Sequence, residues 1–281
     1  EFETLLVHGD RPLQPSGVYD VSPPMHLSTT FATPNQSHLV YSRAHHPTRN
    51  RLESLLGMME DGHATVYSSG LACVTALMQH IKPRKVFIAA REGYFGCQDV
   101  MNFFGHILDV YSPRSNTSTN GDTTSEPLFE LVDLAKLDQF IEEHSDGNSD
   151  DNNENHTSGS DSNQTKVSFT NGRQSNYVIW LETPKNPSCI LEDIQLYSEK
   201  AKRIGAMVVV DSTFATPILQ KPLALGAHFV MHSATKYLSG HSDVLAGVII
   251  AKSEHSCKML HKEQSVMGNV LGNMETWLLL R

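Results

Sequence analysis

The chain is 281 residues long, 39% hydrophobic and 19% charged, a globular texture with room for one large α/β domain or two ordinary ones. With 31 acidic against 22 basic residues and a formal charge of -9, no overall positive field exists to attract nucleic acid or an anionic lipid surface, and neither partner is expected. The four cysteines, Cys73, Cys97, Cys189 and Cys257, stand far apart with no C-x-x-C pair, so neither a disulfide framework nor a zinc knuckle nor any other metal site is expected.

No apolar run approaches the roughly 18 residues that signal a membrane span, and the opening EFETLLVHGD lacks the basic flank and apolar stretch of a secretion signal. A cytoplasmic protein is therefore expected. The sequence has no initiator Met and finishes on ETWLLLR, a helix-like run without a cap, which reads as a piece of a longer chain.

In chain order, Pro47-Thr48-Arg49-Asn50 leads into RLESLLGMMED, and Ser68-Ser69-Gly70 leads into LACVTALMQH; each has the signature of a helix start. VFIAA (86–90) is an apolar run of strand length. Residues 112–126 and 144–176 are dominated by Ser, Asn, Asp, Gly and Thr, cannot bury enough surface to offset ordering entropy, and are expected to be disordered surface insertions. Between them LFELVDLAKLDQFIEE spaces Leu131, Leu134, Leu137, Phe140 and Ile141 as one helical face. VIWLE (178–182), MVVVD (207–211) and HFVMH (228–232) are strand-like, and Ile194, Leu196, Tyr197, Ala201 and Ile204 mark a helix closed by Gly205. Strand, helix and strand in this order predict a mostly parallel sheet with right-handed crossovers, flanked by helices. No internal repeat is present.

Chemistry concentrates at the predicted strand ends. Lys236 lies in Ser233-Ala234-Thr235-Lys236-Tyr237 directly after HFVMH, and Asp211 terminates MVVVD, so parallel strands deliver both to the crevice where α/β sheets bind ligands. One cofactor needs both groups: pyridoxal phosphate is held by a lysine as a Schiff base, while a carboxylate keeps its pyridine nitrogen protonated. Either residue alone would read as a solvated terminus or a helix cap. A phosphate dianion wants free backbone N–H groups at a helix start, and Ser68-Ser69-Gly70-Leu71 fits, although the same residues describe an ordinary cap. Ser233 and Thr235 could add hydroxyls, and Tyr94, after VFIAA, could cover the ring rather than serve as packing.

Taken together, Tyr41-Ser42-Arg43 with Pro47-Thr48-Arg49-Asn50, Tyr67-Ser68-Ser69-Gly70, Glu182-Thr183-Pro184-Lys185-Asn186-Pro187, Val210 to Pro217 and His232 to Asp243 resemble the Cys/Met-metabolism family. These are the trans-sulfuration enzymes that use pyridoxal phosphate: cystathionine synthases and lyases, methionine γ-lyase and acylhomoserine sulfhydrylases. The resemblance covers nearly everything outside 112–126 and 144–176. It implies the large domain of a fold type I pyridoxal-phosphate enzyme over 41–281, with 1–40 as an arm against a neighbouring subunit and the C-terminal small domain absent. It further implies Lys236, Tyr94 and Asp211 as the catalytic residues. Lys236 would hold the cofactor and move protons, Asp211 would pair with the ring nitrogen, and Tyr94 would stack on the ring. Asn186 would approach the ring hydroxyl, while Gly70, Leu71, Ser233 and Thr235 would bind the phosphate. Tyr41 and Arg43 would reach a neighbour's site, making a dimer or dimer of dimers part of catalysis. The implied substrate is a small sulfur-containing amino acid, and the implied reaction makes or breaks a carbon–sulfur bond by β- or γ-elimination or γ-replacement.

The chain departs from the family in places. Tyr94-Phe95-Gly96-Cys97 stands where Y-G-G-T is usual, and Ala44-His45-His46 replaces an aromatic-Gly-Asn. His45 and His46 are expected to face solvent, and Cys97 to be a packing residue. Ser242 and Asp243 beside His241 make no catalytic triad, which needs side chains from separate elements. The arginine that holds the substrate carboxylate in the family belongs to the small domain, and Arg281 is not a candidate for it. The main rival is a catalytically silent relative kept for assembly or regulation. A nucleotide-binding dehydrogenase lacks its fingerprint, since no G-x-G-x-x-G follows a strand.

Overall fold

The computed structural model describes residues 23–32, 39–89, 92–111, 128–145 and 175–281. Both polar insertions fall outside these residues except at the margins: His144 and Ser145 finish a helix, and the Ser175 hydroxyl is bonded to the carbonyls of Tyr177 and Gly205.

Seven strands form one sheet: β1 (His63–Tyr67), β2 (Lys85–Ile88), β3 (Glu130–Asp133), β4 (Tyr177–Glu182), β5 (Met207–Asp211), β6 (Phe229–His232) and β7 (Gly247–Ala251). Their order across the sheet is β1-β7-β6-β5-β4-β2-β3. The pairings from β6 through β3 are parallel, while β7 runs antiparallel to both of its neighbours, β1 and β6. The helices are α1 (Pro47–Glu60), α2 (Gly70–Ile81), α3 (Phe95–Tyr111), α4 (Leu137–Ser145), α5 (Ile194–Ile204), α6 (Glu254–Met267) and α7 (Asn273–Leu280).

The sheet is the middle of three layers, which explains why its strands are continuously apolar rather than alternating with polar residues. Ile179, Leu181, Val208, Val210, Val230, Val248 and Ile250 point into one core with Leu52, Leu55, Leu56 and Met59 of α1 and with Ile194 and Ala201 of α5. The intervening residues Val178, Trp180, Val209, Phe229, Met231 and Ile249 point into the other, against Val74, Leu77 and Met78 of α2, Met101 of α3 and Leu260 of α6.

The helix expected over 128–143 is a strand followed by a helix. Glu130–Asp133 pairs in parallel with β2, and Leu131 packs on one face of the sheet while Leu134, Leu137 and Ile141 pack on the other. A single helical face cannot place them so. A 3₁₀ turn at Leu134–Lys136, capped by the Asp133 carboxylate on the Ala135 N–H, makes the change of direction.

Each βα turn on the parallel strands lies at their carboxyl edge. The described chain on either side of the two polar insertions (α3 into β3, and α4 into β4) meets the opposite, amino edge. At the start of the described chain, Pro23 accepts a bond from the Trp277 indole and Leu27 one from Asn273, so residues 23–32 lie against α7 of their own chain.

Candidate active site

The carboxyl edge of the sheet is hollowed into a cavity of about 350 Å³. After β1, Ser69 caps α2, its hydroxyl accepting from the N–H of Ala72 at 3.1 Å. The cap serves the third helical amide, and the N–H groups of Gly70 and Leu71 make no hydrogen bond among the described residues. These two unpaired donors face the cavity at the positive end of a 12-residue helix, a ready place for an anion.

After β5, Asp211 is 5% exposed. One carboxylate oxygen accepts both the N–H of Thr213 at 3.0 Å and its hydroxyl at 2.6 Å. Burial pushes this carboxyl above the usual aspartate range, and the Thr213 bonds pull the other way. The Thr213 oxygen also accepts from the Ser233 N–H at 2.8 Å, so one hydroxyl ties the β5 and β6 ends together. Thr213 was not singled out from the sequence; its place two residues after a strand-end Asp, the spacing of an Asx-type bond, was the available signal.

After β6 come Ser233, Thr235 and Lys236, all lining the cavity. The Ser233 hydroxyl has no hydrogen-bond partner among the described residues, nor does the Lys236 ammonium. The Thr235 hydroxyl is engaged, donating to the Ala246 carbonyl at 3.1 Å and accepting the Ala246 N–H at 3.0 Å. Directly behind, His232 and Glu60, each 1% exposed, meet at 2.7 Å.

The remaining wall comes from the turns after β2 and β4, which carry Tyr94 and Asn186. The Tyr94 ring lies over Gly96, where an added Cβ would come within 2.6 Å of the ring. Phe95, by contrast, is 74% exposed. Of the two glycines usual after this tyrosine, the chain therefore keeps the one whose lack of a side chain the ring needs. Glu182, at the end of β4, accepts the Tyr94 N–H at 2.7 Å and the Asn186 N–H at 2.9 Å. Phe214, Met231 and Leu245 supply apolar lining.

Tyr41 and Arg43 are not in this cavity. Both are exposed, with the guanidinium 5.5 Å from the tyrosine ring and bonded to the Ser265 carbonyl. The two histidines that follow divide: His45 is exposed as expected, but His46 is fully buried, its ring against His26 and Phe31. It sits where the chain turns into α1, and that turn is covered by residues 23–32. Cys97 is buried, and its thiol is pushed well above the ordinary range by burial first and by Asp211 second.

This set of donors and acceptors suits pyridoxal phosphate: two unpaired helix amides and a free serine hydroxyl for a phosphate, a buried carboxylate for a ring nitrogen, an aromatic cover and an unpaired amine. The chain matches the Cys/Met metabolism PLP-dependent enzyme family over residues 3–145 and 154–281. It belongs to that family. Pyridoxal phosphate is the cofactor of these Cys/Met metabolism enzymes. Among curated relatives, the cystathionine gamma-lyase of Bacillus subtilis (strain 168) is 32% identical, the alignment covering 99% of this chain and 62% of the relative. The chloroplastic cystathionine beta-lyase of Arabidopsis thaliana is also 32% identical, over 99% of this chain and 51% of its own length. The solved cystathionine gamma lyase from Micromonospora echinospora superposes with a TM-score of 0.76 at 28% identity, covering 100% of this chain and 63% of that one. The cystathionine gamma synthase from Xanthomonas oryzae pv. oryzae, in complex with aminoacrylate and cysteine, gives 0.74 at 25% identity over 100% and 62%. The chain thus spans between half and two thirds of the length of these relatives, and its sheet and flanking helices are those of fold type I pyridoxal-phosphate enzymes.

Proposed function

We propose that this chain is the cofactor-holding part of an enzyme that makes or breaks carbon–sulfur bonds in cystathionine-like amino acids, by β- or γ-elimination or γ-replacement. The observation that carries the reading is the convergence of Lys236, Asp211 and the free amides of Gly70 and Leu71 on one cavity. Pyridoxal phosphate, when bound, supplies an electron sink for the charge left when the substrate loses its α proton.

The chain's own residues do the rest. Gly70 and Leu71 donate their N–H groups to the phosphate, joined by Ser233. Asp211 holds a proton on the ring nitrogen, and Thr213 keeps that carboxylate aimed and partly ionised against the burial that opposes charge. Tyr94 covers one ring face and Asn186 approaches the ring hydroxyl. The Lys236 amine would hold the cofactor, and as a free amine it would take the substrate's α proton as general base. Thr235 adds to the phosphate site if its hydroxyl exchanges the Ala246 carbonyl for the anion.

We assign Tyr41 and Arg43 to a neighbouring copy's site, which makes the working unit a dimer or dimer of dimers. Their exposure and their absence from the lining of this chain's own cavity support it, as does the planar fit of guanidinium to phosphate. Residues 41–281 are the large domain in this reading, and the substrate carboxylate is left to a segment outside this chain. The four free cysteines agree with a reducing compartment, and we place the enzyme in the cytoplasm.

The test is the visible absorption spectrum with added pyridoxal phosphate, before and after borohydride reduction, followed by peptide mapping. The expected result is a band in the violet region, bleached by reduction, with the adduct on Lys236 and no band in Lys236→Ala. No band at excess cofactor would overturn the enzyme assignment in favour of a silent relative. A positive result justifies assaying cystathionine, methionine, homocysteine and acylhomoserines for thiol and keto-acid release.

A further inference from the structure

We propose that Glu182 is a positioning residue of this site: its one carboxylate locks the turn bearing Tyr94 to the turn bearing Asn186. The inference rests on the cofactor reading only for what those two side chains then do. Glu182 stands at the carboxyl end of β4, and each of its oxygens takes a backbone N–H from a different turn, Oε2 from Tyr94 at 2.7 Å and Oε1 from Asn186 at 2.9 Å. A third bond, from the Gly93 N–H to the Asn186 carbonyl at 3.1 Å, joins the turns directly. On the outer side the Lys185 ammonium spans Glu192 at 2.5 Å and Glu92 at 3.4 Å, linking the same two segments again.

The local backbone is shaped to this contact. Gly93 has φ of +98°, and a Cβ there would lie 2.6 Å from the Glu182 carboxylate, so any other residue would be both strained and in collision. A carboxylate is also the only common side chain of this length with an acceptor on each oxygen; glutamine would turn an N–H₂ toward one of the two donors. Burial first and the neighbouring Asp211 second raise the Glu182 carboxyl above its ordinary range, and the two backbone bonds and Lys185 pull the other way. The Tyr94 ring is half exposed and gains its placement from its backbone, so the carboxylate that fixes the backbone fixes the angle at which the ring covers the cavity.

The experiment compares the full chain with Glu182→Gln and Glu182→Ala in two measurements. Residue-resolved amide hydrogen exchange without cofactor is expected to show the Tyr94 and Asn186 amides exchanging at least about 10-fold faster in Glu182→Ala, and at least one of them doing so in Glu182→Gln, while Val178 to Leu181 keep their protection. Titration with pyridoxal phosphate is expected to show at least about 10-fold weaker binding in both variants, the size of one lost charge-assisted hydrogen bond. Unchanged exchange at both amides, or loss shared equally by β4 in both variants, overturns the proposal, as does altered exchange with unaltered cofactor affinity. Failure of the unsubstituted chain to bind the cofactor overturns the functional reading instead, and the exchange measurement still decides whether Glu182 holds the turns.

Discussion

His46 carries a buried imidazole with neither ring nitrogen hydrogen-bonded among the described residues. Burial first, and then the positive field of Arg49, hold its pKa down at about 4, while the His26 ring lowers it further and the His26 backbone opposes the shift. His261, beside Glu53, is likewise held at about 4, by burial first and then by Arg49 and His45. A histidine depressed in the folded state binds its proton more readily when unfolded, so each contributes stability above pH 6.5 that is lost as pH falls toward 4. Melting temperatures are therefore expected to drop across that window, and more gently in His46→Asn, which removes one titrating group and restores a side chain able to cap α1. An identical acid slope in the variant would refute the assignment. Glu53 titrates the other way: raised to about 8 by burial, it contributes stability below pH 4.5 that is lost as pH rises from there to about 8.

Thiol chemistry is set by burial in the same manner. Cys73, Cys97 and Cys257 are buried and Cys189 is exposed. A disulfide reagent should find one fast thiol in the native chain and none in Cys189→Ser; any fast thiol in the variant would contradict the packing described. At this scale Lys236 and Asp211 were legible because a strand-end position is visible in an apolar run. Thr213 and Glu182 were not, because each pairs a local bond, to Asp211 and to Asn186, with one to a backbone N–H far away in sequence, of Ser233 and of Tyr94, and the distant half leaves no local pattern.

Among the elements, α1 and β6 are joined by a buried pair. Glu60 on the helix meets His232 on the strand at 2.7 Å, and the other Glu60 oxygen and the His232 Nδ1 have no partner among the described residues. Truncating one member of such a pair leaves the other buried and unmatched, so Glu60→Ala is expected to lower unfolding free energy by about 3–5 kcal/mol. Chemical denaturation measures it, and a loss under about 1 kcal/mol would show that the pair is dispensable. The central strands β4, β5 and β6 and the helices α1, α2 and α5 could be read from their apolar runs and caps. Leu131 could not, because its spacing to Leu134 and Leu137 satisfies a helix as well as a strand that bends into one. β7 carries the β-branched run GVIIA, but nothing in it tells its antiparallel direction; the connection over 233–246 folds into turns that carry Ser233, Thr235 and Lys236 rather than into a crossover helix.

For the whole molecule, the sheet's polarity separates two rims. Every turn that lines the cavity is at the carboxyl rim, and the described ends that flank 112–127 and 146–174 are at the amino rim. Replacing 146–174 by a short Gly/Ser link, while keeping Ser175 and its bonds to Tyr177 and Gly205, is expected to leave cofactor affinity within about twofold. Each halving of a loop's length alters its closure free energy by only about 0.6 kcal/mol. A large loss of affinity in that deletion would mean that the segment reaches the chemistry after all. Limits drawn from composition alone, 144–176, would have removed the end of α4 and a buried serine, since Ser, His and Asn look alike in a tract whether or not the tract's edges are folded.

The two rims also answer to different pressures. Substitutions at the carboxyl rim are expected to alter what is bound, whereas the amino rim is expected to accept a change of length. A fluorescent reporter or an affinity handle spliced between Ser145 and Ser175 is therefore expected to leave the cavity as it is.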